Sequence, residues 1–542
     1  MANTGIEIRE ITTASASTVA PPTAVIALIG SAPIGPVNEV TLCKNATDDA
    51  QFGYQVAGFS IPQALSAIRL QAPNAEVMVV NVALHTYGDG IPLVPVTNET
   101  KTLVAGAAQL NYAPEGAIVV KDNTLATTYT LTTDYTISST GAFARNPSGA
   151  IGATDTIKIS YSHLENHTFS SNKITLNDPP FVPAEAVVVY SKTKATTYVA
   201  GTDYTLNAYG VITRINSGAI TSTQEVIVKY QAFAGISASD IIGTASPITG
   251  LYCYDTARAV YGYEPTLWIA PSYDALSGVQ AAFQAQVAEK GGIFFTDGTA
   301  GRSVSQIVTD RAPGSGNHFQ VQDERVVCCY PRVYTYSPAI DDDELRPSSP
   351  FMAGYFAKVD TLVGPYRSAG NFHFNNIAVP LIGVNSLELL LTYQESSTRS
   401  CDVKTLADAG VLTIKPGNVP YGFRSSAYPE SNDVKTQYCV SRVRDLAKAA
   451  LIKGMTQFIG REMSVIVRDA ILQNANAFLN DLVRQGWILQ GAAIYNVSDN
   501  PDAQIALGHW TFAFSYMPSI ALEKLTFLFN VTTEGIAEVL GA

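Results

Sequence analysis

Apolar positions along this chain follow three rhythms, and each predicts a different kind of element. Residues 24–29, AVIALI, form an unbroken apolar run closed by Gly30, and residues 76–83, EVMVVNVA, form a second. Runs of this length predict strands buried on both faces. Between them Ser60 precedes Pro62, and Ile61, Leu65 and Ile68 fall at i, i+4 and i+7, a helix start followed by one apolar face. After Phe233 the same alternation returns, with helical stretches near 250–261, 276–289 and 302–311 and strands at 266–271, 292–297 and 324–333. Helices alternating with strands predict a sheet with parallel neighbours covered by helices.

The last third begins with a helix near 350–360 and continues with helices over 438–457 and 464–485. In the second of these, Val467, Ile471, Ala475, Phe478 and Leu482 make one stripe and Gly486 follows as a C-cap. Two alternating segments close the chain: Trp510, Phe512, Phe514, Tyr516, and then Leu525, Phe527, Phe529, Val531. Each predicts a strand with one apolar face.

From about Asn98 to Phe233 the helical period disappears and Thr, Tyr, Val and Asp dominate. Residues 117–137 align without gaps on 186–206 at an offset of 69, pairing Tyr129 with Tyr198, Asp134 with Asp203 and Tyr135 with Tyr204. The same offset matches Ile157, Ile159 and Tyr161 with Val226, Val228 and Tyr230. Two copies of one small all-β, sandwich-like module are predicted. The expected fold is multidomain, mixed α/β and α+β. It comprises an N-terminal arm (1–20), an α/β body (21–95 plus 236–345), inserted β modules (96–170 and 171–235) and a C-terminal α+β domain (346–542) ending in an arm strand.

Composition changes this picture in two places. The 542 residues are 46% hydrophobic but only 15% charged, against about 25% in ordinary soluble domains. Either an outer surface committed to protein contacts or a neutral, Thr-rich β surface accounts for that. Net charge is −12 with a pI near 5.0, which argues against direct nucleic-acid binding. No apolar stretch approaches the roughly 20 residues that span a bilayer, and MANTGIEIRE lacks the marks of a signal peptide, so no membrane insertion is expected. Against the acidic background, residues 435–490 carry eight positive and four negative groups. Such a segment fits either an acidic partner or a solvated helix face.

Candidate chemistry is sparse. The phosphate-loop, nucleophile-elbow and H-E-x-x-H patterns are absent. Cys43, Cys253, Cys328, Cys329, Cys401 and Cys439 read as buried, reduced thiols. His163 and His167 stand four apart without a third ligand and read as surface residues; Asp297-Gly298 reads as a turn, and Asp341 to Glu344 as a solvated acidic turn. No catalytic, cofactor or metal residues are assigned. The alternative readings are a hydrolase-like α/β enzyme with β carbohydrate-binding modules, its site near Asp297 or Tyr330, and an adhesin using Tyr129 and Tyr198 as a glycan platform.

Several segments, in order, resemble one family. AVIALIGSAPIGPVNEVTL, FG at 52–53, IPQAL and VMVVNV resemble the opening of sheath proteins of contractile phage tails and related injection machines. TGLYCYD, LWIAPSYD, FFTDG, RVVCCYPRV and SSPFMAGYFAKVD follow in the family's order, as do YCVSRVRDLAKAAL and FLNDLVRQGWILQG near the C-terminus. The resemblance covers the chain except for the β modules. It implies a non-enzymatic virion protein, assembled in the host cytoplasm as stacked hexameric rings around a tail tube. It further implies contact with baseplate and sheath-terminating proteins, and contraction from a metastable extended state that drives the tube through the host envelope. Terminal arms that add strands to neighbouring subunits are implied too, here Ile6 and Ile8 at one end and Leu525, Phe527, Phe529 and Val531 at the other. The basic helix with Arg442, Arg444, Lys448 and Lys453 is then expected to face the tube, and the β modules to decorate the surface.

Overall fold

The computed structural model describes residues 23–532 and 534, except 56–57, 84–92, 177–186, 207–210, 231–235, 339 and 397–398. Ile6 and Ile8 lie outside the described residues. The apolar run after Thr23 becomes β1 (Val25–Gly30), buried along its whole length. It is followed by β2 (Thr41–Cys43), helix α1 (Ile61–Gln71) and β3 (Glu76–Asn81). The chain returns as β4 (Leu267–Ile269), α2 (Val279–Lys290), β5 (Ile293–Asp297), α3 (Val304–Arg311) and β6 (Val326–Cys329), all at the expected positions.

The sheet does not stop there. Helix α4 (Ser349–Leu362) packs on it, and β7 (Val411–Lys415) and β8 (Val419–Tyr421) complete the strand order β2-β3-β1-β4-β5-β6-β7-β8. The pairs from β3 through β7 are parallel, and the edge strands β2 and β8 are antiparallel. The body therefore extends past residue 345, where the sequence placed its end. A strand of five residues such as β7 carries no signal saying which sheet it joins.

Strand alternation divides the core into two layers. Ile26, Leu28, Val77, Val79 and Phe295 face α1, α4 and the start of helix α5 (Tyr438–Met455). Val25, Ala27, Met78, Trp268 and Phe294 face α2 and α3. Burying each such side chain contributes about 1.5–3 kcal/mol. Helices α1 and α4 approach so closely that a Cβ on Gly354 would sit 3.0 Å from the Ile68 backbone, which is why glycine interrupts an otherwise bulky helix face.

Among the described residues the middle of the chain, 93–230, is built of strands and turns. Strands Leu93–Thr102, Pro114–Asp122, Thr128–Tyr129, Val188–Ser191 and Glu225–Lys229 join Thr156–Thr168 in one six-stranded sheet. Thr156–Thr168 pairs over its first part with Leu93–Thr102 and Pro114–Asp122, and its last four residues pair with Glu225–Lys229. The two repeats are therefore stitched through one 13-residue strand rather than separated at residue 170.

The repeat has a physical basis. Asp134 accepts N–H groups from Thr130 and Ala150, and Asp203 accepts them from Val199 and Ala219, the same bonds 69 residues on. These backbone donors hold both carboxyls below the usual range. Tyr135 and Tyr204 fill the two small cores. Tyr198 is buried and Tyr129 half-buried, so neither forms an open platform.

His163 and His167 are not surface residues. His163 is buried with its ring stacked 3.8 Å from Tyr112, and His167 bonds Glu165 at 2.5 Å. Lys192 lies over the same Tyr112 ring and pairs with Glu225 at 2.8 Å, so the two repeats meet through a packed polar cluster.

Candidate assembly surface

The carboxyl ends of a parallel sheet are where an α/β enzyme keeps its catalytic groups, and here they are committed to structure. Asp297, at the end of β5, is buried. It accepts bonds from the Ser348 hydroxyl (3.1 Å), the Ser349 N–H (2.8 Å) and the Ser349 hydroxyl, all at the N-terminus of α4. Its own N–H donates to Asp274 Oδ2 at 2.6 Å, and the Thr296 hydroxyl donates to the same oxygen. Asp297-Gly298 is thus a buried anchor for a helix, not an exposed turn. Tyr330 donates its hydroxyl to the Arg302 carbonyl. Among the described residues no group of three or more His, Cys, Asp or Glu is placed to hold a metal, and all six cysteines are free and buried.

Burial, with the neighbouring Asp297 charge, raises Asp274 to about 6. A carboxyl raised in the folded state stabilises the fold at low pH and loses that contribution as pH rises through about 6. Asp274→Asn keeps the acceptor oxygen and removes the charge. It is expected to raise stability at pH 8 by on the order of 2 kcal/mol and to leave it unchanged at pH 4. Denaturant melts at the two pH values check this, and equal shifts at both would refute it.

Helix α5 does not present four cations outward. Arg442 is 3% exposed and forms a two-pronged ion pair with Asp360 on α4. Arg444 bonds Glu324 at 2.7 Å, and the adjacent Asp445 takes Arg325 and the Gly292 N–H. Those charges dock the helix on the body, which corrects the expectation for Arg442 and Arg444. Lys448 and Lys453 are exposed, with no ion-pair partner among the described residues. Sequence spacing put all four on one basic segment without showing which turn of the helix meets the sheet.

Beyond its docked first half, α5 joins helix α6 (Val465–Arg484) and the hairpin of β9 (Ile488–Ile494) and β10 (Ala513–Pro518). Val443 and Ala450 of α5 pack with Ala475, Phe478 and Leu482 of α6 and with Ile488 and Ala493 of β9. Ser464 caps α6 through the Val467 N–H, and Asn476 on α6 bonds both the N–H and the carbonyl of Ala493. The upper part of the predicted stripe, Val467 and Ile471, is only half-buried. The penultimate strand begins at Ala513, three residues later than Trp510. The two-stranded sheet leaves both outer edges unpaired within the described residues.

After β10 the chain is moored once more. Ala521 donates its N–H to Gln437 Oε1 at 2.8 Å, and Glu523 pairs with Arg424 at 2.9 Å and accepts from Gln437 Nε2. Sequence reading missed these mooring residues, because partners 84 to 99 positions apart leave no periodic signal.

Past Glu523 the expected strand is not formed within the single subunit. Leu525 is 63% exposed, Phe527 70%, Phe529 90% and Val531 93%, with no ladder partner. An alternating apolar segment next to open strand edges is a surface that needs a partner.

No family model matches the sequence. Over its whole length the chain is similar to the tail sheath protein of Burkholderia phage BcepMu. The two are 28% identical across 548 residues, covering 99% of this chain and 98% of the relative. The fold is similar to the sheath of the extracellular contractile injection system PVC in its contracted state, with a TM-score of 0.52 and 10% identity, covering 98% of this chain and 99% of that one. The contracted helical sheath of the anti-feeding prophage gives a TM-score of 0.51 at 12% identity, again covering 98% and 99%. From end to end the chain is thus similar to a tail sheath protein in sequence and to contracted sheaths in fold.

Proposed function

We propose that this chain is the structural subunit of a contractile tail sheath, assembling with copies of itself around a tail tube in a phage tail. The observation that carries the reading is the segment from Leu525 to Val531, apolar at alternate positions and uncovered, beside a two-stranded sheet with unpaired edges. Strand addition between subunits satisfies both: main-chain hydrogen bonds hold the arm and alternate side chains set its register. Ile6 and Ile8 supply the matching pattern at the other end of the sequence.

Subunits stack as hexameric rings, and contraction is a passage from a metastable extended arrangement to a more compact one. The arms keep the mesh connected while the bodies move, and the baseplate and a sheath terminator engage the ends of the stack. The β repeats between residues 96 and 235 project from the body as surface decoration. The tube contact belongs to the unit of α5, α6, β9 and β10 as a whole rather than to Arg442 and Arg444. Assembly proceeds in the host cytoplasm. No observation favours the hydrolase reading, since Asp297 is engaged in holding the start of α4 and Tyr330 in holding the Arg302 carbonyl.

Negative-stain electron microscopy of the purified chain over a range of concentrations tests the proposal. Hollow tubes or stacked rings of uniform width are the expected outcome. Dispersed single subunits, with or without added tube protein, would overturn it.

A further inference from the structure

Helix α5 has two used faces. One packs on the β9/β10 hairpin through Val443 and Ala450, with Tyr516 of β10 against the same cluster. Another face, with Leu446, Ala449 and Ile452, lines a cleft of about 340 Å³ against Pro265 and the loop around it. Lys448 and Lys453 stand on the helix side of this cleft, exposed and unpaired among the described residues. Of the other charged groups lining it, Glu264 lies within electrostatic reach of Arg258 and Lys290, and Lys290 also pairs with Asp255. Lys448 and Lys453 on α5 are therefore left for an incoming partner beside Leu446, Ala449 and Ile452, and the facing wall adds the exposed Arg258 and one exposed acid, Glu289.

The chain carries a segment of complementary pattern just past the arm. In residues 532–542, TTEGIAEVLGA, Ile536, Val539 and Leu540 fall at i, i+3 and i+4, and Glu534 and Glu538 stand four apart. Apolar anchors at that spacing with acidic flanks are what a groove with an apolar floor and a lysine rim accepts. The reach is sufficient. Five residues from Thr532 to the first anchor, Ile536, extend to roughly 17 Å, more than the width of about 10 Å of the helix that separates the hairpin face of α5 from its cleft face.

We infer that the cleft between α5 and the body is a docking site for residues 532–542 of a second copy of this chain, latching the arm after its strand has paired. This rests on the strand-exchange reading above.

The test uses the full chain with Ala449→Cys and Val539→Cys, whose native thiols are buried. Oxidation of assembled tubes is expected to give a ladder of disulfide-linked subunits. Tubes without a ladder, or with only an intrachain disulfide, overturn the latch while leaving strand exchange standing. A labelled peptide of residues 532–542 gives an answer that does not need tubes. It should bind the subunit saturably, weaken about tenfold or more with Lys448→Glu and Lys453→Glu, and regain affinity when its own Glu534 and Glu538 are changed to Lys. Binding indifferent to these charge changes also overturns the site.

Discussion

A chain ending at Glu523 is expected to fold as the full chain does and to remain monomeric at concentrations where the full chain forms tubes. Truncation there keeps the mooring, because Glu523 still pairs with Arg424 and Ala521 still donates to Gln437. Among the described residues the body therefore loses no contact that holds it together. Removed are the four alternate side chains from Leu525 to Val531, each more than 60% exposed in the single subunit and so contributing little to its own stability. Burial of each in a neighbour's sheet is worth about 1.5–3 kcal/mol, and every 1.4 kcal/mol is tenfold in the concentration at which assembly begins. A single Phe527→Asp should accordingly raise that concentration about tenfold or more, with the subunit's melting temperature unchanged. Sedimentation and microscopy across a dilution series read both effects. Assembly by the truncated chain at the concentration the full chain needs would mean that the arm is not the connector.

The second large effect is internal. Arg311, at the end of α3, is 4% exposed and has no carboxylate partner among the described residues; its guanidinium instead donates to five backbone carbonyls. Nε reaches Ala409 at 3.1 Å, Nη1 reaches Phe319 and Val321, and Nη2 reaches Ser426 and Tyr428. One side chain thus ties together three loops from distant parts of the sequence. Guanidinium is the only side-chain group with five donors in a fixed planar fork. Arg311→Lys keeps the charge but offers three donors from a single point, which leaves buried carbonyls unpaired at about 1–3 kcal/mol each. A loss of about 4 kcal/mol is expected, read as a lower denaturant midpoint and earlier proteolysis within 312–323. A loss below about 1 kcal/mol would show that water enters and replaces the missing donors.

Assembly and stability thus depend on different residues, and the sequence exposed the two classes unequally. Alternation from Leu525 to Val531 is visible in the letters because any strand with one apolar face is a local, period-two pattern. The offset of 69 is visible because Asp134 and Asp203, each holding two backbone N–H groups in place, must recur with their tyrosines. Arg311 left no such mark, nor did the ion pair of Arg442 with Asp360, because their partners lie 82 to 117 residues away or are backbone atoms that any residue carries.

By itself, then, the sequence determined the strands and helices of the body, the repeated β unit, the alternating apolar segment from Leu525 to Val531 and, through the order of its motifs, the resemblance to tail sheath proteins. All of these are written in short-range periodicity or in local composition. Tertiary structure alone decided that β7 and β8 extend the sheet past residue 345, and that Thr156–Thr168 joins the two repeats in one sheet. It also decided that Arg442 and Arg444 face inward while Lys448 and Lys453, one and two turns further along the same helix, line an open cleft. A charge pattern shows that a helix is basic. Only the packing of its neighbours fixes which charges are spent on holding it in place and which remain for another subunit.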